Sequence, residues 1–130
     1  MTRVPIRSLG YDVPIPGFTQ AVAAAASGRI LFVTVRVGSR TQGTIRLEAD
    51  AEALVAAIRR ALTEGGAVPD DVVRVRTCVL DLDAYATLRP TLAALWGEVF
   101  PASTLLEVVG LPGGASVQMD VIAVVPQVAG

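Results

Sequence analysis

Residues Phe100 to Val124, FPASTLLEVVGLPGGASVQMDVIAV, decide the reading of the fold. They hold two apolar-rich runs, Thr104 to Val109 and Val117 to Val125, separated by Gly110-Leu-Pro-Gly-Gly. The glycines and the proline suit a turn and do not continue a strand comfortably. The pattern predicts a strand, a tight connection and a second strand. Alternate strand residues share a face, so Ser103, Leu105 and Glu107 point one way while Thr104, Leu106 and Val108 point the other. In the second run Val117, Met119, Val121 and Ala123 form an apolar face, opposite Gln118, Asp120, Ile122 and Val124. The sheet therefore has one oily face to cover and one mixed face, on which the reading places both Glu107 and Asp120.

Working back from this ending, the clearest strand of the front half is Arg29 to Val37, RILFVTVRV, dense in β-branched and aromatic residues. Its faces are Leu31, Val33, Val35 and Val37 against Ile30, Phe32, Thr34 and Arg36. A second alternating stretch, Val72 to Leu82, sets Val73, Val75, Thr77 and Val79 against Arg74, Arg76, Cys78 and Leu80. Between these strands the period changes. Leu54, Ala57, Ile58, Ala61 and Leu62 recur at helical spacing, with Asp50 the expected N-cap and Gly65-Gly66 the expected stop. A second helix is expected from about Leu82 or Asp83 to Val99, its stripe made of Leu88, Leu92, Leu95, Trp96 and Val99. Pro90 must then lie near a helix start or produce a kink.

The stretch to Gly17 reads as an extended entry with a short edge strand at Val4 to Ser8. Short runs at Phe18 to Ala23 and Thr44 to Leu47 complete the chain. The order is strands, helix, strand, helix, two strands, in one domain spanning 1–130. Two amphipathic helices covering one face of a single sheet give an α+β layer. The other face is assigned Thr34, Arg36, Arg74, Arg76, Glu107, Gln118 and Asp120. It is too oily for solvent and too charged for a core, so several copies are expected to associate through it and bring its opposite charges together.

Composition narrows the chemistry. The chain has 130 residues, a net charge of −1, one cysteine and no histidine. It can bury a core unaided, and it cannot form an internal disulfide, a Cys/His zinc site or a Ser-His or Cys-His nucleophile pair. Acid-base work falls to carboxylates, arginines, hydroxyls, backbone or water. The near-zero charge gives no electrostatic argument for nucleic acid or an acidic membrane. No run approaches the roughly 18 to 20 apolar residues of a membrane span, and no signal-peptide block follows the basic start, so a cytoplasmic protein is expected.

The phrases PIPGFTQAV, DVVRVRTCVLDLDAY, FPASTLLEV and GLPGGASVQMDVIAV, in this order and at these separations, resemble the Rid/YjgF family of reactive-intermediate deaminases from about Pro14 to Val125. The resemblance implies a chorismate-mutase-like fold, a homotrimer with its sheets around a central barrel, and ligand clefts between subunits. It implies hydrolysis of enamine-derived imines to 2-keto acids and ammonia without metal or organic cofactor.

The departures from the family pattern fall on its site. Deaminating members carry an arginine for the substrate carboxylate at the position of Ser103 and a cysteine at that of Leu105, so the bidentate fork is missing. A glutamate credited with handling the catalytic water is replaced by Gln118, which cannot act as a carboxylate base. Phe18 stands for a cleft tyrosine, and Thr34-Val35-Arg36 for Ser-Gly-Gln.

Candidate catalytic residues are accordingly Glu107, Arg36 and Gln118, with Phe18, Thr34, Ser103, Leu105 and Asp120 lining the cleft. Arg36 is expected on the same face as Thr34 and Ser103, either as a substitute cation or paired with Glu107 or Asp120. Arg74 and Arg76 are expected to be ion-pair partners, and Cys78 a small buried apolar residue. The expected activity is hydrolysis, tautomerisation or cyclisation of a small imine, enamine or activated carbonyl compound, not ordinary 2-imino-acid deamination. The rival is a non-catalytic metabolite-binding trimer. Ribonuclease activity is disfavoured by the lack of histidine and of a basic surface excess.

Overall fold

A computed structural model describes residues 4–5, 22–23, 28–38 and 47–126. Phe18 lies outside these, as do most of the proline-rich entry and residues 44–46. Two short strands, β1 (Val4–Pro5) and β2 (Val22–Ala23), pair antiparallel. The main sheet is built from β3 (Arg29–Val37), β4 (Val72–Val79), β5 (Ala102–Glu107) and β6 (Val117–Val125). Its helices are α1 (Leu47–Glu64) and α2 (Tyr85–Trp96).

The strands lie in the order β3-β6-β4-β5. β6 is antiparallel to both β3 and β4, whereas β4 and β5 run parallel and are joined across α2. The sheet is therefore mixed. The two terminal runs are consecutive in the chain but not neighbours in space, because β4 lies between them. The link through Pro112–Gly114 carries the chain over the end of β4, where the Val108 amide donates to the Val79 carbonyl at 2.8 Å.

One face of the sheet is covered. α1 lies on β3 and β6 and beside α2. Leu54, Ile58 and Leu62 of α1, Leu88, Leu92, Leu95 and Trp96 of α2, and Val75, Val79, Val117, Met119, Val121 and Ala123 of the sheet form the buried core. The inward residues of β3, Leu31 to Val37 in alternation, pack against it. Gly65 also belongs to this packing, since a Cβ there would meet the Leu31 side chain at 2.5 Å.

Element ends differ from expectation for local reasons. α1 begins at Leu47, so Asp50 stands in its first turn and is not the N-cap. Its carboxylate is buried and accepts a hydrogen bond from Ser116 Oγ at 2.6 Å. Gly38, at φ +83°, makes the room, for a Cβ there would lie 2.6 Å from Asp50 Oδ2. The other end of α1 stops at Gly65-Gly66 as expected. Gly66 has φ +78°, and the amides of Gly66 and Ala67 donate to the carbonyls of Thr63 and Leu62, the paired bonds of a Schellman turn.

β4 ends at Val79, before the expected Leu82, and a bulge between Val72 and Arg74 makes Val72, not Val73, the first core residue of the strand. A single 3-10 turn, Leu82–Ala84, precedes α2, with the Asp81 carboxylate accepting the Asp83 amide at 2.9 Å. α2 ends at Trp96, before the expected Val99, because Gly97 takes φ +78°. Pro90 lies inside α2 on its exposed side.

Candidate functional site

The register sorts the candidate residues by face. On the side away from the helices, directly opposed residues form rows across β3, β6, β4 and β5. One row is Arg36, Gln118, Cys78 and Leu106, the next is Thr34, Asp120, Arg76 and Thr104, and the third is Phe32, Ile122, Arg74 and Ala102. On the helix side the rows are Val37, Val117, Val79 and Glu107, then Val35, Met119, Thr77 and Leu105, then Val33, Val121, Val75 and Ser103.

Two expectations are thereby corrected. Glu107 is not on the face of Asp120, and Ser103 is not on the face of Arg36 and Thr34. Residue alternation assigns faces within one strand, but matching the faces of different strands depends on pairing, and β4–β5 pairing puts Ser103 opposite Val75 and Glu107 opposite Val79.

Among the described residues no helix covers the first face. Phe32 is 72% exposed and Ile30 59%, both large apolar side chains of the kind that mark interaction surfaces when they cluster. Beside them runs a polar chain. Arg36 Nη1 donates to Gln118 Oε1 at 3.4 Å, and Gln118 Nε2 donates to Asp120 Oδ1 at 3.3 Å. Asp120 Oδ2 accepts from Arg76 Nε at 3.0 Å and Nη2 at 2.7 Å. The hydrogen bond and the charge of Asp120 hold the Arg76 guanidinium above its ordinary pKa. Arg74 donates from Nη2 to Thr104 Oγ1 at 2.7 Å, a partner whose relation to Arg74 no local pattern reveals because it depends on the β4–β5 register.

These contacts assign chemistry. Both oxygens of Asp120 are engaged, one by a guanidinium, which suits an ion-pair partner and not a free base. The Gln118 amide is oriented at both ends, with its carbonyl toward Arg36. Arg36 meets neither Asp120 nor Glu107 within the chain, and its contact in this network is the neutral Gln118. Cys78 is buried, and burial pushes its thiol pKa up, away from the thiolate that nucleophilic chemistry uses.

Along the sheet edge, β5 presents the second group. The Ser103 hydroxyl donates to the Pro101 carbonyl at 2.8 Å, which leaves its oxygen lone pairs as acceptors. Leu105 packs partly into the core. Glu107 Oε1 accepts the Leu82 amide at 3.0 Å, tying the end of β5 to the turn that opens α2. The sequence candidates thus fall into two half-sites, Thr34, Arg36, Gln118 and Asp120 on the open face and Ser103, Leu105 and Glu107 along the β5 edge. One chain does not bring them together.

A mixed four-stranded sheet with two helices on one face is the architecture of the Rid proteins, and comparison with known proteins agrees. The family model described as Endoribonuclease L-PSP matches residues 12–125. The chain belongs to this family, the Rid/YjgF family. It is similar to a RutC family protein of Pyrococcus abyssi, 28% identical over 116 residues that make up 85% of this chain and 87% of that protein. Among solved structures it is similar to the Rid-family protein YyfB of Yersinia pestis, with a TM-score of 0.75 and 26% identity over 95% of this chain and 99% of that one. A member of the YjgF/YER057c/UK114 family from Mycobacterium tuberculosis gives a TM-score of 0.65 at 27% identity, covering 85% and 88% of the two chains. Among the described residues no helix is long and apolar enough to cross a membrane.

Proposed function

We propose that this protein acts on a small imine, enamine or activated carbonyl metabolite in clefts formed between copies of the chain, associated as a homotrimer around a central barrel. The observation that carries this reading is the division of the family-site positions between two faces. Thr34 and Gln118 stand on the open face, and Ser103 and Leu105 on the β5 edge. Docking the edge of one copy against the open face of another reunites them.

In such a cleft Thr34, Ser103 and Gln118 hold polar groups and a water, Leu105 offers an apolar wall, and Arg36 and Glu107 supply charge. For an imine, the positioned water adds to the C=N carbon, protons pass from the water to nitrogen, and the C–N bond breaks to leave a carbonyl compound and an amine or ammonia. With Ser103 in place of a guanidinium, the cleft lacks the usual fork for a carboxylate, which favours a substrate other than a small 2-imino acid.

The test is incubation of the purified protein with enamine-derived imines and a panel of bulkier cyclic imines, following carbonyl product and ammonia. The expected outcome is turnover of the bulkier substrates that is lost in Gln118→Ala and Ser103→Ala. Efficient conversion of aminoacrylate-type imines to keto acids would overturn the argument from the missing arginine. A second reading, a metabolite-binding trimer without catalysis, is favoured by the engagement of both Asp120 oxygens, which among the described residues leaves no uncommitted carboxylate on the open face. It predicts saturable binding with no product.

A further inference from the structure

Among the described residues the open face carries three guanidinium groups, on Arg36, Arg74 and Arg76, against the single carboxylate of Asp120. Asp120 is taken by Arg76. Two copies meeting through this same face would set like charges against each other and desolvate them, which costs more than it returns. The face therefore suits a different surface of the second copy, a heterologous contact that closes into a ring.

The β5 edge is that surface. Glu107 is exposed there, and Asp81 and Asp83 flank Leu82, whose amide Glu107 accepts. Leu82 is itself half exposed and Val109 fully so, which adds apolar surface to this edge. Height along the strands matches as well. Val37, Val117, Val79 and Glu107 form one row, and Arg36 belongs to the adjacent row, a step of about 3.3 Å. Arg36 and Glu107 thus sit at one end of the sheet, on opposite edges and opposite faces. Rotation about an axis parallel to the strands preserves height, so docking the β5 edge of one copy against the open face of the next brings Glu107 within about one residue step of the level of Arg36.

We infer that Arg36 of one copy forms an ion pair with Glu107 of the next, a seam that positions the two half-sites. This rests on the proposed clefts between copies and adds the residues that bring their walls together. The pairing orients the Arg36 guanidinium that holds Gln118 and keeps both charges at the cleft wall.

Native mass spectrometry across a dilution series tests it on the full chain with Arg36→Gln, Glu107→Gln, the double variant and Arg36→Glu. Glutamine at 107 keeps an acceptor for the Leu82 amide, so the subunit fold is retained, as circular dichroism will check. Each single neutral variant is expected to dissociate at higher concentration than the parent protein, the double variant no more readily than either single one, and Arg36→Glu most readily. Assembly unchanged in Arg36→Glu, or additive losses in the double variant, overturns the ion pair while leaving the assembly standing. A parent protein that is a lone subunit overturns both the pair and the cleft reading.

Discussion

The two faces of the sheet have similar alternating sequences and opposite fates. On the helix side Val117, Met119, Val121 and Ala123 are buried under α1 and α2. On the other side Phe32 and Ile30 lie exposed beside a chain of arginine, amide and carboxylate groups. Apolar content alone does not separate them. What separates them is charge, which a helix cannot cover cheaply but another copy with complementary groups can.

The largest expected effect comes from the covered face. Leu54→Ala, at a fully buried position, should lower stability by about 2–5 kcal/mol through lost burial and a residual cavity. Phe32→Ala, measured by denaturant unfolding of the dissociated chain, should change stability by less than about 0.5 kcal/mol. Equal losses at the two positions would break the contrast, since Phe32 would then be covered within its own subunit.

Gly38→Ala sharpens the boundary between the faces, because the substitution requires a side chain at positive φ and intrudes on the Ser116–Asp50 hydrogen bond. A loss of about 1–3 kcal/mol is expected, and an unchanged denaturation midpoint would remove the case for that junction. Asp81→Ala, which strips the cap from the turn before α2, should cost about 0.5–2 kcal/mol by the same measurement.

Smaller still is the Arg76–Asp120 pair. With the Arg76 side chain 52% exposed, Asp120→Asn should cost the separate chain no more than about 1 kcal/mol. A greater loss would mean that this end of the face is already shielded.

The smallest effect concerns Cys78. Burial raises its thiol pKa in the folded chain, so folding favours the protonated form. Its contribution is intact below the ordinary thiol range and is lost as pH rises from that range through the folded value. Relative to Cys78→Ala, stability should fall as the buffer becomes alkaline, and alkylation of the folded protein should be slower than that of the unfolded chain. Rapid alkylation of the native protein would contradict a buried thiol.

Much of this arrangement was legible in the chain. The alternation of RILFVTVRV identified β3 to the residue, the Leu54-Ile58-Leu62 spacing identified the buried stripe of α1, and Gly65-Gly66 marked its end. Each is a local signal, set by backbone propensity and by the repeat of side-chain directions. The candidate site was legible as a set of residues but not as an arrangement. Glu107 and Asp120 looked alike on their own strands, and the partners of Arg76 and Arg74 across β4, β5 and β6 had no signature in the residues that flank them.

The amino-acid sequence by itself determined which side of β3 and of β6 is apolar, where the two helices lie along the chain, and which chemistries are closed to a chain without histidine. Only the tertiary structure decided that β4 lies between β5 and β6, that Glu107 and Ser103 turn away from Arg36 and Gln118, and that Asp120 belongs to Arg76. The reason is range. Strand alternation and helix spacing are set by neighbours a few residues apart, whereas strand order and register are chosen by packing between segments far apart in the chain, where one step of slip moves every side chain to the other face.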